Sequence, residues 1–183
     1  MIERLGSLLT KTHKQPKLHS PTGNNQWRVY FVLFTIFIMT EDEKYMSLAL
    51  EEARKALAAD EIPIGCVIVC QGQIIGRGHN LTQTLQDVTA HAEMQAITAA
   101  EQTLGGKYLP DATLYVTVEP CPMCAGAIGW AQISRIVYGA PDPKRGYTLF
   151  APRVLHPKTT VTSGILAEEC KSLIQNFFQN KRI

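Results

Sequence analysis

No apolar run in this chain of 183 residues reaches the roughly twenty that cross a bilayer. The one suspicious run, Val29 to Met39, is about eleven residues long and excludes a spanning helix. As a signal-peptide core it lacks a small-residue cleavage site, since Thr40, Glu41, Asp42 and Glu43 follow it. Residues 1–38 are therefore read as an extension upstream of a start at Met39, and no membrane partner is expected. Cysteine is sparse and odd in number: Cys66, Cys70, Cys121, Cys124 and Cys170 make no disulfide framework, and the thiols are read as reduced. There is no internal repeat and no low-complexity segment. The apolar fraction of 45% and charged fraction of 19% are those of a globular protein. The length allows one domain with a full core and is too short for two ordinary ones.

Charge is nearly balanced at +2, but unevenly laid out. Residues 1–40 carry five basic and one acidic residue, 41–120 five against twelve, and 121–183 eight against three. The last third is the basic one, which fits an anionic partner but equally fits solvated faces.

From Thr40 onward the pattern is orderly. Thr40 with Glu43 makes a capping box, and Met46, Ala49, Leu50, Ala53 and Leu57 follow at helical spacing. Cys66 to Cys70 and Gln73 to Gly76, parted by Gln71 and Gly72, predict a hairpin, with the second strand ending near Asn80. A polar loop over 82–89 leads to a second helix marked by Met94, Ile97 and Leu104 and ended by Gly105 and Gly106. Thr113 to Val118 is a buried strand, Pro120 and Pro122 introduce a small-residue helix through Ala131, and Ile133 to Tyr138 is another strand. Such a unit implies a right-handed crossover and a parallel pair. A polar stretch with prolines, 141–158, precedes a last helix from about Leu166 to Phe178.

His91, Cys121 and Cys124 carry the chemistry. Three protein ligands and one open position make a catalytic zinc site, and all three lie at expected helix starts, where negative charge and thiolates are favoured. Water on such an ion supplies hydroxide near neutral pH. Glu93, two residues past His91, is placed to move its proton, first as base and then as acid. Taken alone, Cys-Pro-Met-Cys equally describes a thioredoxin-like redox pair. The joint pattern of His91-Ala92-Glu93 and Pro120-Cys121-Pro122-Met123-Cys124 is instead the zinc-deaminase signature. Cys66, Cys70 and Cys170 are read as core residues, His79 and His156 as polar surface or loop, and Glu119 as ordering the turn before the cysteines.

From about Glu41 to the C-terminus the chain resembles the bacterial tRNA-specific adenosine deaminases of the cytidine-deaminase-like superfamily. The matching stretches are Ile62-Pro63-Ile64-Gly65, Gly78-His79-Asn80, Thr89-Ala90-His91-Ala92-Glu93, Ala112 through Thr117, Cys124-Ala125-Gly126-Ala127 and Gly164 through Cys170. The resemblance implies an α/β fold, a three-layer α/β/α sandwich with a central five-stranded mixed sheet, over a deaminase domain of residues 39–183. It implies one zinc ion per chain, a homodimer in the cytoplasm, and hydrolytic conversion of adenosine to inosine at the wobble position of a tRNA anticodon stem-loop. By position, Asn80 and the backbone amide of Ala92 face the flipped nucleotide, Asp142 and Lys144 meet anticodon RNA, and Phe178 touches neighbouring bases. The arm before Met39 has no counterpart in the family, and 141–155 follows it only at its start. A free-base deaminase resembling guanine deaminase is the second reading, since Gly126-Ala127-Ile128 and Trp130 occur there too. A non-catalytic zinc or redox module is a third, against which Glu93 speaks.

Overall fold

The structure, a computed structural model, describes residues 39–181. The 1–38 extension, with nearly all of the Val29 to Met39 run, and Arg182 lie outside the described residues.

Helix α1 (Glu41–Ala58) begins on the predicted capping box. Thr40 Oγ1 accepts from the Glu43 amide at 3.2 Å, and the Glu43 carboxylate accepts from the Thr40 amide at 2.8 Å. Met46, Ala49, Leu50 and Ala53 are buried; Leu57, last of the predicted stripe, is exposed in the final turn. Strands β1 (Gly65–Cys70) and β2 (Gln73–His79) form the hairpin, with Gln71 and Gly72 both at positive φ. Next come α2 (Ala92–Leu104), closed by a left-handed Gly105 as expected, then β3 (Ala112–Val118), α3 (Pro122–Trp130) and β4 (Arg135–Ala140). One helical turn, α4 (Tyr147–Phe150), a short β5 (Thr160–Ser163) and α5 (Ala167–Asn180) complete the order.

The strands form one sheet in the order β2-β1-β3-β4-β5. β1 is antiparallel to β2 and β3, whereas β3, β4 and β5 run parallel, so the five-stranded sheet is mixed. Side chains alternate across it. Cys66 and Ile68 pack with Ala92, Ala96, Ile97 and Ile128 on one face, and Val67 and Val69 pack with Tyr45, Met46, Leu50 and Cys170 on the other. Helices α2 and α3 thus cover one face and α1 and α5 the opposite one, which is the expected three-layer α/β sandwich. Among the described residues no helix is long and apolar enough to cross a membrane.

The glycines of β2 place the site-bearing helix. A Cβ at Gly78 would fall on the backbone of Ala92 and Ala96, and one at Gly76 on that of Ala96 and Ala100. Only a glycine strand lets α2 lie this close. Residues 92 and 93 are thereby fixed directly against the sheet.

Candidate metal centre and active site

Two helix N-termini meet at the end of the sheet where β2 and β3 finish. His91 is the N-cap of α2 and Cys121 the N-cap of α3, with Pro122 opening the latter helix. Neither side chain makes the capping bond that Ser, Thr or Asp would make there. The first-turn amides therefore keep their partial positive charge for whatever sits between the helices. Cys124, half a turn into α3, is buried and turned to the same point.

The donor atoms converge. His91 Nδ1 stands 3.4 Å from Cys124 Sγ and 3.7 Å from Cys121 Sγ, and the three ligand atoms lie within 4.8 Å of one another. Ordinary zinc–sulfur and zinc–nitrogen bonds in a tetrahedron put sulfur and nitrogen about 3.6 Å apart. The observed spacing brackets that value, so the set fits a zinc ion bound through Nδ1 and two sulfurs. The electrostatics agree. A hydrogen bond from the Cys124 thiol, with help from His91, brings the Cys121 thiol down to about 4. The same contact to Cys121 pushes Cys124 upward, and His91 is raised by its bond to Cys121. A thiolate, a thiol and an imidazole thus crowd around shared protons, a charge arrangement that a divalent cation relieves.

Glu93 occupies the first turn of α2 and is 4% exposed. Burial raises its carboxyl above the usual range. The Ala92 amide lies in the same first turn, where a helix supplies no acceptor of its own. Asn80 follows β2, and the bond from the Leu81 amide to the Ala90 carbonyl, 3.0 Å, closes the loop so that Asn80 stands beside the start of α2.

The outer residues are differently placed. Asp142 Oδ1 accepts the amides of Lys144 (2.9 Å) and Arg145 (3.0 Å), so this carboxylate shapes its own turn, while the Lys144 side chain is exposed. The turn hangs from Glu119, whose buried carboxylate accepts the Asp142 amide, the Thr148 amide and the Thr148 hydroxyl. Phe178 is 43% exposed and stands edge-on to buried Phe177. Lys181 pairs with Asp60 at 2.6 Å. His79 faces Glu52 at 3.3 Å, and among the described residues His91, Cys121 and Cys124 form the one group of metal-binding geometry.

A profile of the cytidine and deoxycytidylate deaminase zinc-binding region matches residues 39–140. The chain is 46% identical over 149 residues to the tRNA-specific adenosine deaminase of Bacillus subtilis, covering 79% of this chain and 92% of that one. The chain belongs to this family of zinc deaminases. A second tRNA-specific adenosine deaminase, from Agrobacterium fabrum, is 46% identical over 79% of this chain and 99% of its own. Among solved structures, one from work on A-to-I editing by tRNA:A34 deaminases at the wobble position shares 47% identity. It has a TM-score of 0.67 over 71% of this chain and 98% of that chain. Guanine deaminase from Bacillus subtilis is 43% identical with a TM-score of 0.53, over 56% of this chain and 66% of that one. Membership makes this tRNA-specific adenosine deaminase relative a zinc-dependent deaminase, and the His-Cys-Cys group is where its zinc fits.

Two features of the site region carry no sequence signal: Glu61, which is wholly buried, and the reach of Glu119, whose carboxylate orders the 142–148 turn rather than the turn before the cysteines. Both act over separations of 19 to 29 residues, beyond any local pattern.

Proposed function

We propose that the chain hydrolyses adenosine to inosine at the wobble position of a tRNA anticodon. The observation that supports this best is the likeness to tRNA-specific adenosine deaminases over 79% of the chain, joined to a buried carboxylate beside the zinc-binding group. His91, Cys121 and Cys124 hold the metal. When bound, zinc supplies Lewis acidity, lowering the pKa of water to about 7. Glu93 takes one proton of the attacking water and delivers it to the ring nitrogen beside the amine-bearing carbon. It then takes the proton of the newly added hydroxyl and passes it to the amino group, so that ammonia leaves and the oxygen becomes the carbonyl. Because Glu93 is not one of the three ligands, its carboxylate would be available for this transfer. Asn80 and the Ala92 amide hold the flipped nucleotide, Lys144 and the turn shaped by Asp142 meet the RNA backbone, and Phe178 stacks on a neighbouring base.

We also read residues 39–183 as the deaminase domain and Met39 as its start, supported by a family match that begins at residue 39. A homodimer in the cytoplasm completes the proposal. Met123 and Trp130, seven residues apart and so on one face of α3, are 37% and 84% exposed, and Leu149 and Phe150 of α4 are exposed as well. Light scattering of the purified chain should give twice the monomer mass.

The second reading, deamination of a free base such as guanine, is favoured by the 43% identity to guanine deaminase over part of the chain. Incubating the enzyme with an anticodon stem-loop bearing adenosine at the wobble position, beside free guanine, separates the two.

A further inference from the structure

Asn80 is 3% exposed, and both hydrogens of its side-chain amide are taken. Nδ2 donates to Glu61 Oε2 at 3.0 Å and to Thr82 Oγ1 at 3.1 Å. The Thr82 hydroxyl in turn donates to Glu61 Oε2 at 3.3 Å. The other carboxylate oxygen of Glu61 accepts the amides of Gln83 at 2.9 Å and Thr84 at 2.7 Å. Burial of Glu61 acts to raise its pKa, but these donors, the Thr84 amide foremost, outweigh burial and hold the carboxyl below the usual range.

An ionised carboxylate only accepts, so the edge of Asn80 that meets it must be the N–H edge. Oδ1 is the atom left over. It has no partner among the described residues, and no unpartnered side-chain nitrogen or oxygen there is sealed from solvent. Oδ1 is therefore the accessible corner of a nearly buried side chain, at the end of β2 and beside the start of α2.

We propose that Glu61 is a positioning residue that locks the Asn80 carboxamide with Oδ1 outward, so that the site accepts a hydrogen bond from a donor on the target nucleotide. This rests on the proposed contact between Asn80 and that nucleotide. The ring nitrogens of adenine are acceptors, and its amino group is the one that leaves. Within an RNA strand the remaining donor of an adenosine is its 2′-hydroxyl. Glu61 thus makes Asn80 select a ribonucleotide.

Glu61→Gln tests the lock. The Gln83 and Thr84 amides claim the oxygen of the new amide, leaving its NH2 toward Asn80, whose carboxamide must turn over and present N–H outward. Holoenzymes of the parent chain, Glu61→Gln, Asn80→Ala and the double variant are compared on a stem-loop with adenosine, or 2′-deoxyadenosine, at the target position. Glu61→Gln is expected to raise KM about tenfold with kcat and zinc content little changed, and the double variant to be no worse than Asn80→Ala. The 2′-deoxy substrate is expected to cost the parent about tenfold in kcat/KM and Asn80→Ala nothing further; equal losses in both overturn Oδ1 as the acceptor. A KM raised by Asn80→Ala but not by Glu61→Gln overturns the lock and leaves the Asn80 contact standing. An unchanged KM in Asn80→Ala removes the contact itself. Should Glu61→Gln not fold, proton exchange in the parent decides: slow exchange of both Asn80 Nδ2 hydrogens supports the lock, and fast exchange overturns it.

Discussion

Glu93 and its three neighbours share one cluster yet differ in what their removal takes away. His91, Cys121 and Cys124 meet at a point, so changing any one to Ala leaves two donors and should lower zinc content together with activity, as metal analysis and turnover will record. On the proposed role, Glu93→Ala removes a proton carrier and no ligand. It should keep about one zinc per chain while turnover falls by roughly 10³-fold or more; loss of zinc in that variant would contradict the assigned role. These four residues were legible in the sequence because their spacing is local and each lies at a helix start that Pro, Gly and the apolar period announce. The buried carboxylates that hold Asn80 and the turn at Asp142 were not. Glu61 reads as one more charge after Asp60 until the fold buries it against residues 80–84, and nothing near Glu119 in sequence shows that it suspends the turn from Asp142 to Thr148.

At the scale of elements, the glycine strand β2 sets where α2 and its first turn lie. Gly78→Ala forces a methyl group onto the backbone of Ala92 and Ala96, so α2 must move. The expected cost is about 1–3 kcal/mol in a denaturant titration, with activity falling further than stability because Glu93 moves too. Helix α1 is tied at its start by Asp42, which takes both guanidinium nitrogens of Arg135 at 2.8 and 2.7 Å and the Tyr115 hydroxyl at 3.1 Å. The hydrogen bond from Arg135 leads in holding Asp42 below the usual carboxylate range. Its contribution is therefore complete above the unfolded pKa of about 3.9 and fades as pH falls through the lower folded value. Asp42→Asn should cost about 1 kcal/mol at pH 6, a gap that narrows in urea melts as pH falls below the ordinary carboxylate pKa of about 3.9. The elements with an apolar period were legible, and the two without one were missed. β5 is a four-residue edge strand, Thr-Val-Thr-Ser, whose Val161 is itself 43% exposed, and α4 is a single turn within a stretch that reads as loop.

For the molecule as a whole, the basic last third carries the prediction about RNA. If it meets phosphates, affinity for an anticodon stem-loop falls as salt rises, and neutralising Lys144 should flatten the slope by about one. Neutralising Lys181 should act more weakly than at Lys144, since Lys181 already pairs with Asp60. Phe178→Ala should weaken binding with the slope kept, because stacking releases few counterions. A chain beginning at Met39 should match the full chain in activity and RNA binding; a loss of either would make residues 1–38 functional. The most direct measurement is product analysis after incubating the zinc-loaded enzyme with a wobble-adenosine stem-loop and, separately, with guanine. Inosine at the wobble position, absent with Glu93→Ala, and little turnover of guanine is the expected result. Brisk release of ammonia from guanine with the stem-loop adenosine intact would contradict the tRNA function.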